Sequence, residues 1–157
     1  MKLTMGVDPG FTGAVAVYNP IENEVEVFDI PIYEIDKKRH VDAYTLARKI
    51  DNLKSIIGAA TLEQPGSMPN QGVASTFRFG HTCGMLHGIL AANFIPVTLV
   101  RPNVWKTYFK IGADKDAARR LASSLWPKQS SLFARVKDDG RAEAALLSLY
   151  AHKKRLV

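Results

Sequence analysis

The sequence predicts an α/β fold in which a mixed β-sheet is covered by helices on both faces. Three observations predict it. The first thirty residues read as strands joined by short turns. After residue 58, short apolar strands alternate with segments of helical periodicity. The apolar content, 46% of 157 residues, is sufficient for one globular domain, taken as residues 1–157. Strands that run first as a meander and then alternate with helices imply antiparallel and parallel pairing within one sheet.

Each element has a local reason. Residues 3–7 are short and mostly apolar, and Pro9-Gly10-Phe11-Thr12-Gly13 is turn chemistry. Residues 14–18 form a second strand, broken by Asn19-Pro20, and residues 24–30 alternate polar and apolar. Residues 36–40 are polar and basic. Residues 41–57 carry Leu46, Ala47, Ile50, Leu53 and Ile57 at helical spacing. Residues 59–62 read as a short buried strand ending at Glu63, and residues 68–72 as a loop. Residues 74–94 read as a long helix containing Gly80, Gly84 and Gly88. Each glycine costs a helix roughly 1 kcal/mol relative to alanine. A stripe of three calls for close approach of another backbone, either the chain's own sheet or the same helix of a second subunit. Residues 95–100 form a further strand, ended by Arg101-Pro102. Residues 103–110 and 114–126 are helical, the latter stopped by Pro127. Residues 128–136 read as a loop. A last helix runs from about 139 to 152, with Lys153-Lys154-Arg155 suited to its C-terminal end.

The formal net charge is +6 and unevenly placed. Residues 1–100 hold 8 basic and 10 acidic groups, whereas residues 101–128 hold 7 and 2. A basic C-terminal third points to a polyanionic partner. Ordinary apolar content excludes a disordered chain. No apolar run reaches the roughly 18 residues of a membrane span, and no signal peptide is expected. Cys83 is the only cysteine, which rules out an intrachain disulfide and a cysteine-based zinc site. The expectation is a soluble cytoplasmic protein.

Four acidic positions carry the chemistry. Asp8 ends the first strand and Glu63 the fourth. Asp139 and Glu143 lie four apart at the start of the last helix, so both side chains fall on one face. Clustered carboxylates repel one another, and a divalent cation relieves that repulsion. Oxygen-only ligands favour Mg²⁺ or Mn²⁺ over zinc. Four carboxylates are enough for two metals about 4 Å apart, the arrangement used for in-line displacement at phosphate.

Gly6-Val7-Asp8-Pro9-Gly10-Phe11-Thr12-Gly13 resembles the first motif of the RuvC family of Holliday junction resolvases. Leu62-Glu63-Gln64-Pro65 resembles the second, and Lys137-Asp138-Asp139-Gly140-Arg141-Ala142-Glu143-Ala144 the last, in the form of phage-type and related members. The order and separations agree over nearly the whole chain. The resemblance implies a ribonuclease H-like fold with a five-stranded mixed sheet. It implies a homodimeric endonuclease that resolves four-way DNA junctions with two Mg²⁺ per site, Mn²⁺ substituting. The nicks would carry 5′-phosphate and 3′-hydroxyl ends. It assigns Asp8, Glu63, Asp139 and Glu143 as catalytic metal ligands. The last motif departs from bacterial members, whose paired residues sit three apart rather than four. Asp138 is a further candidate, and Asp139 is preferred because it shares a face with Glu143.

Lys106 and Lys115 resemble two lysines that contact DNA near the family's active site. Arg101, Lys110, Arg119 and Arg120 would extend that track along the phosphates. The glycine stripe at Gly80, Gly84 and Gly88 corresponds to a helix that helps form the family's dimer. An apolar wedge is expected near Met68, with Phe77 and Phe79 as rivals. His81, Cys83 and His87 read as structural. A same-fold nuclease acting on flaps, forks or other branched nucleic acid would carry identical residues. An idle nucleic-acid-binding module should lack a complete carboxylate set. An actin-like ATPase needs a duplicated domain of roughly twice this length.

Overall fold

The computed structural model describes residues 2–64, 66 and 72–156, apart from the side chain of Lys115. Strands β1 (Leu3–Asp8), β2 (Ala14–Asn19) and β3 (Glu24–Asp29) form the expected antiparallel meander. A hairpin follows, β4 (Ile32–Ile35) and β5 (Lys38–Val41), and then α1 (Ala43–Leu53). Strand β6 (Ile57–Glu63), helix α2 (Val73–Ala92) and strand β7 (Val97–Val100) come next. The chain ends with α3 (Pro102–Tyr108), α4 (Lys115–Leu125), two 3₁₀ turns (Pro127–Phe133 and Val136–Asp138) and α5 (Asp139–Lys153).

The main sheet has the order β3-β2-β1-β6-β7, with β6 and β7 parallel to β1. It is a five-stranded mixed sheet, as the sequence predicts. Strand alternation divides the core in two. Met5, Val7, Val15 and Val17 point to one face and meet Leu46 and Ile50 of α1 and Leu86 and Leu90 of α2. Ala14, Ala16 and Tyr18 point to the other face and meet Leu146 and Leu147 of α5 and Ala118 and Ala122 of α4.

Helix α5 is the best-buried of the helices, with every residue from Ala144 to Ala151 buried. Small residues make that possible. A Cβ on Gly6 would collide with the backbone at Ala144 and Ser148, so only glycine lets α5 lie this close to β1. Thr4 Oγ1 donates to the Ser148 carbonyl at 2.8 Å and ties the helix to the same strand.

The polar stretch 36–40, to which the sequence assigns no element, lies in the β4–β5 hairpin, whose turn residues Asp36 and Lys37 have φ of 49° and 60°. Two successive left-handed residues match the right-handed twist of a hairpin. Two expectations need correction. The first helix stops at Leu53, and Ile57 opens β6 instead of closing the helix, because its side chain completes the sheet core. Residues 128–136 are largely 3₁₀ turns, anchored where Gln129 exchanges hydrogen bonds of 2.7 and 3.0 Å with the Val25 backbone. Among the described residues no helix is long and apolar enough to cross a membrane.

Candidate active site

Parallel pairing of β1 with β6 sets the site. Val7 lies opposite Leu62, so Asp8 and Glu63 emerge side by side at the C-terminal edge of the sheet. Open α/β sheets bind ligands outside this edge. Helix α5 crosses the same point and brings Glu143 in from above. One carboxylate oxygen from each of Asp8, Glu63 and Glu143 lies within 4.8 Å of the others.

The fourth predicted acid, Asp139, opens α5, and its charge acts on Asp8. Asp138 is turned to a different task. It is buried and accepts hydrogen bonds from Arg135 Nε at 3.0 Å, Arg135 Nη2 at 2.7 Å and the Arg135 backbone at 2.9 Å. Burial acts to raise its pKa, yet the Arg135 bonds outweigh that and hold it below the usual carboxylate range. Asp138 therefore fastens the turn before α5, and Asp139 stands outside the three converging carboxylates but acts on Asp8 by its charge.

The cluster is strained by charge. Burial, then the charges of Glu143, Glu63 and Asp139, push Asp8 well above the ordinary carboxylate range, with Lys106 opposing. Burial and Glu143 raise Glu63, opposed by Trp105 and Lys106. A cation among them would favour the ionised form of both groups. An all-carboxylate donor set around converging oxygens fits a hard divalent metal.

Sequence reasoning missed two residues that shape the site. Trp105, fully buried in α3, donates from Nε1 to Glu63 Oε2 at 2.7 Å. A tryptophan in the helix that follows a strand is the signal in the sequence, since a buried indole N–H requires an acceptor. Gly140 is the other. A Cβ there would lie 2.9 Å from Asp8 Oδ2 and closer still to the Thr12 carbonyl. Glycine at this position lets the start of α5 rest on the Asp8 turn.

The basic residues divide. Lys106 Nζ pairs with Glu143 Oε1 at 2.9 Å and sits 5.2 Å from the Trp105 ring, at the cluster itself. Arg101 and Lys110 are exposed at the two ends of α3. Lys115 opens α4, but its side chain lies outside the described residues. Arg119 does not join the proposed track. It binds Asp116 and donates to the Phe133 and Ala134 carbonyls at 3.3 and 3.1 Å, clamping the 3₁₀ segment. Arg120 pairs with Asp114 at 2.8 Å on the surface.

The glycine stripe does not pack on the chain's own sheet. A Cβ on Gly80, Gly84 or Gly88 would meet nothing within 4 Å, and all three are exposed. Met68 lies outside the described residues, and Phe77 is exposed on α2. Cys83 is half-buried on α2. Burial, with the charges of Glu63 and Asp8, pushes its thiol up to about 11, so it is an unreactive thiol bordering the cluster.

No protein-family model and no curated protein matches this sequence. Solved structures do. RuvC of T. thermophilus in complex with a Holliday junction substrate superposes with a TM-score of 0.62 at 15% identity, covering 98% of this chain and 97% of that one. A second Thermus thermophilus RuvC structure gives 0.58 at 14% identity, covering 97% and 96%. Over nearly its whole length, the chain thus shares the ribonuclease H-like fold of RuvC, with little identity in sequence.

Proposed function

We propose that this chain is a structure-selective DNA endonuclease that resolves four-way (Holliday) junctions by Mg²⁺-dependent phosphodiester hydrolysis. The observation that carries the reading is the convergence of Asp8, Glu63 and Glu143 at the C-terminal edge of this sheet, on a fold shared with a junction-bound RuvC. Asp8, Glu63, Asp139 and Glu143 are the proposed metal ligands. Mg²⁺ held there supplies a lowered pKa to a bound water and charge stabilisation to the leaving 3′-oxygen.

The remaining groups have definable roles. Trp105 engages one Glu63 oxygen and so fixes the carboxylate plane, leaving the other oxygen as a ligand atom. Lys106 balances Glu143 in the resting site and is proposed to meet the scissile phosphate when DNA arrives. Arg101, Lys110 and Lys115 are proposed to track the flanking phosphates. Two copies joined along the open Gly80, Gly84 and Gly88 face of α2 would present paired sites to a two-fold symmetric junction.

The test is cleavage of a synthetic mobile four-way junction, compared with flap, fork and duplex DNA at matched salt. Paired, religatable nicks in opposing strands are expected with Mg²⁺ and none with EDTA. Preference for flaps or forks would replace the junction assignment with the same-fold alternative. Cutting by Asp8→Asn at the wild-type rate would remove the metal mechanism altogether.

A further inference from the structure

Two of the site's acids, Asp139 and Glu143, ride on the start of α5, and their charges act on Asp8. Like charges repel, so the acids themselves push this end of the helix off the sheet edge. Gly140 rests against Thr12 and Asp8 but has no side chain with which to grip them. Lys106 holds Glu143 from the α3 side. In the reading proposed above, that bond is given up when DNA arrives.

Arg141 supplies a second grip, from the opposite side of the sheet. Its Nε donates to Asp29 Oδ1 at 2.6 Å and its Nη2 to Asp29 Oδ2 at 2.7 Å. This two-pronged bond fixes direction as well as distance. The remaining nitrogen, Nη1, lies 3.9 Å from Asp138 Oδ1. One guanidinium thus joins the end of β3, the turn before α5 and α5 itself. Asp29 is a firm anchor. It lies opposite Ala14 in the sheet, and the next residue, Ile30, donates its N–H to the Gly13 carbonyl at 3.1 Å. Gly13 ends the turn that follows Asp8. Tying α5 to Asp29 therefore fixes the helix start relative to the segment that carries Asp8.

The Asp29 side chain is 61% exposed and that of Arg141 23%. An ion pair so open to water adds little to global stability. What it does fix is the placement of the turn that carries the acids.

We propose that Arg141 and Asp29 are positioning residues, a clamp that holds the start of α5, with Glu143 and Asp139, against Asp8 for metal binding. The inference rests on the metal-site reading above and extends the site to β3, whose residues supply no ligand.

The experiment titrates the intact protein with Mn²⁺ by calorimetry, without DNA, and records a melting curve for each variant. Arg141→Gln and Asp29→Ala should each weaken Mn²⁺ binding about tenfold, the lower end of the range for groups that orient metal ligands. The double variant should lose no more than either single one, because the same bond is gone in all three. Each Tm should stay within about 4 °C of wild type. Removing the positive charge of Arg141 would by itself tighten cation binding, so weaker binding reports placement and not charge. Arg119→Gln is the comparison, since Arg119 clamps the 3₁₀ segment instead. It should lower Tm and leave Mn²⁺ affinity unchanged. Affinity within twofold of wild type in either clamp variant overturns the proposal. So do additive losses in the double variant, or an equal loss in Arg119→Gln. Wild-type protein that takes no Mn²⁺ removes the metal reading itself. Wild-type binding that is lost in Asp8→Asn but kept in both clamp variants removes the clamp alone.

Discussion

Trp105 Nε1 donates to Glu63 Oε2 across 2.7 Å, linking the first helix after β7 to the acid that ends β6. The bond is buried, and it offsets part of the rise in the Glu63 pKa caused by burial and by Glu143. Trp105→Phe keeps most of the packing and removes the donor. Leaving a buried acceptor unpaired costs about 1–3 kcal/mol. The Glu63 pKa should rise further, so the acidic limb of the pH–rate profile moves to higher pH. A profile that stays in place in a folded variant would show that this bond does not tune the site.

Gly140→Ala tests the close approach of α5 to Asp8. The added Cβ would sit 2.9 Å from Asp8 Oδ2, and the Thr12 backbone cannot swing away as a side chain can. Overpacking of this kind costs typically about 1–3 kcal/mol. Nicking activity should fall by more than about tenfold, because Asp8 and the start of α5 move relative to each other. Thermal unfolding and a cleavage time course measure the two effects separately.

Asp138→Asn and Asp139→Asn should separate stability from metal affinity. Asp138 is buried against Arg135, and its lowered pKa stabilises the fold above the ordinary carboxylate pKa. That contribution is lost as pH falls through the lowered value. Asp138→Asn should lower Tm at neutral pH with little change in metal affinity. Asp139→Asn should weaken metal binding by roughly 10- to 100-fold, the range seen when groups supporting a metal site are removed. Isothermal titration with Mn²⁺, beside a melting curve for each variant, decides the matter.

The raised carboxylates make a prediction about the metal-free protein. Asp8 and Glu63 bind protons more tightly folded than unfolded. Their contribution is therefore most favourable below the ordinary carboxylate pKa and is lost as pH rises through the raised values. In EDTA, Asp8→Asn should raise Tm at pH 7, by about 2–4 °C for each kcal/mol of repulsion relieved. Wild-type protein should gain stability on adding Mg²⁺, and the gain should grow with pH because binding displaces protons. Differential scanning calorimetry across pH, with and without metal, reads both trends.

Much of the fold was legible in the chain. Alternation in residues 24–29 and the apolar runs of β1, β2 and β6 follow from burial on one or both faces of a sheet. The hairpin at residues 32–41 was not legible. Its register depends on a two-residue left-handed turn at Asp36-Lys37, which lacks the glycine or asparagine that signals such turns. Arg119 was misplaced because charge alone cannot show that a guanidinium is spent on the Phe133 and Ala134 carbonyls.

By itself the sequence determined the chemical inventory: carboxylates at strand ends, a helix start rich in acids, and a basic C-terminal third. Those follow from residue type and spacing along one element, which are local properties. Tertiary structure decided what each acid and base faces. Asp138 and Asp139 are adjacent in sequence, yet successive residues at a helix start point about 100° apart. One meets Arg135, and the other acts on Asp8. The indole on Glu63 and the lysine on Glu143 join residues from separate elements. Only the packing of α5 and α3 over the parallel β1–β6 pair brings those groups together.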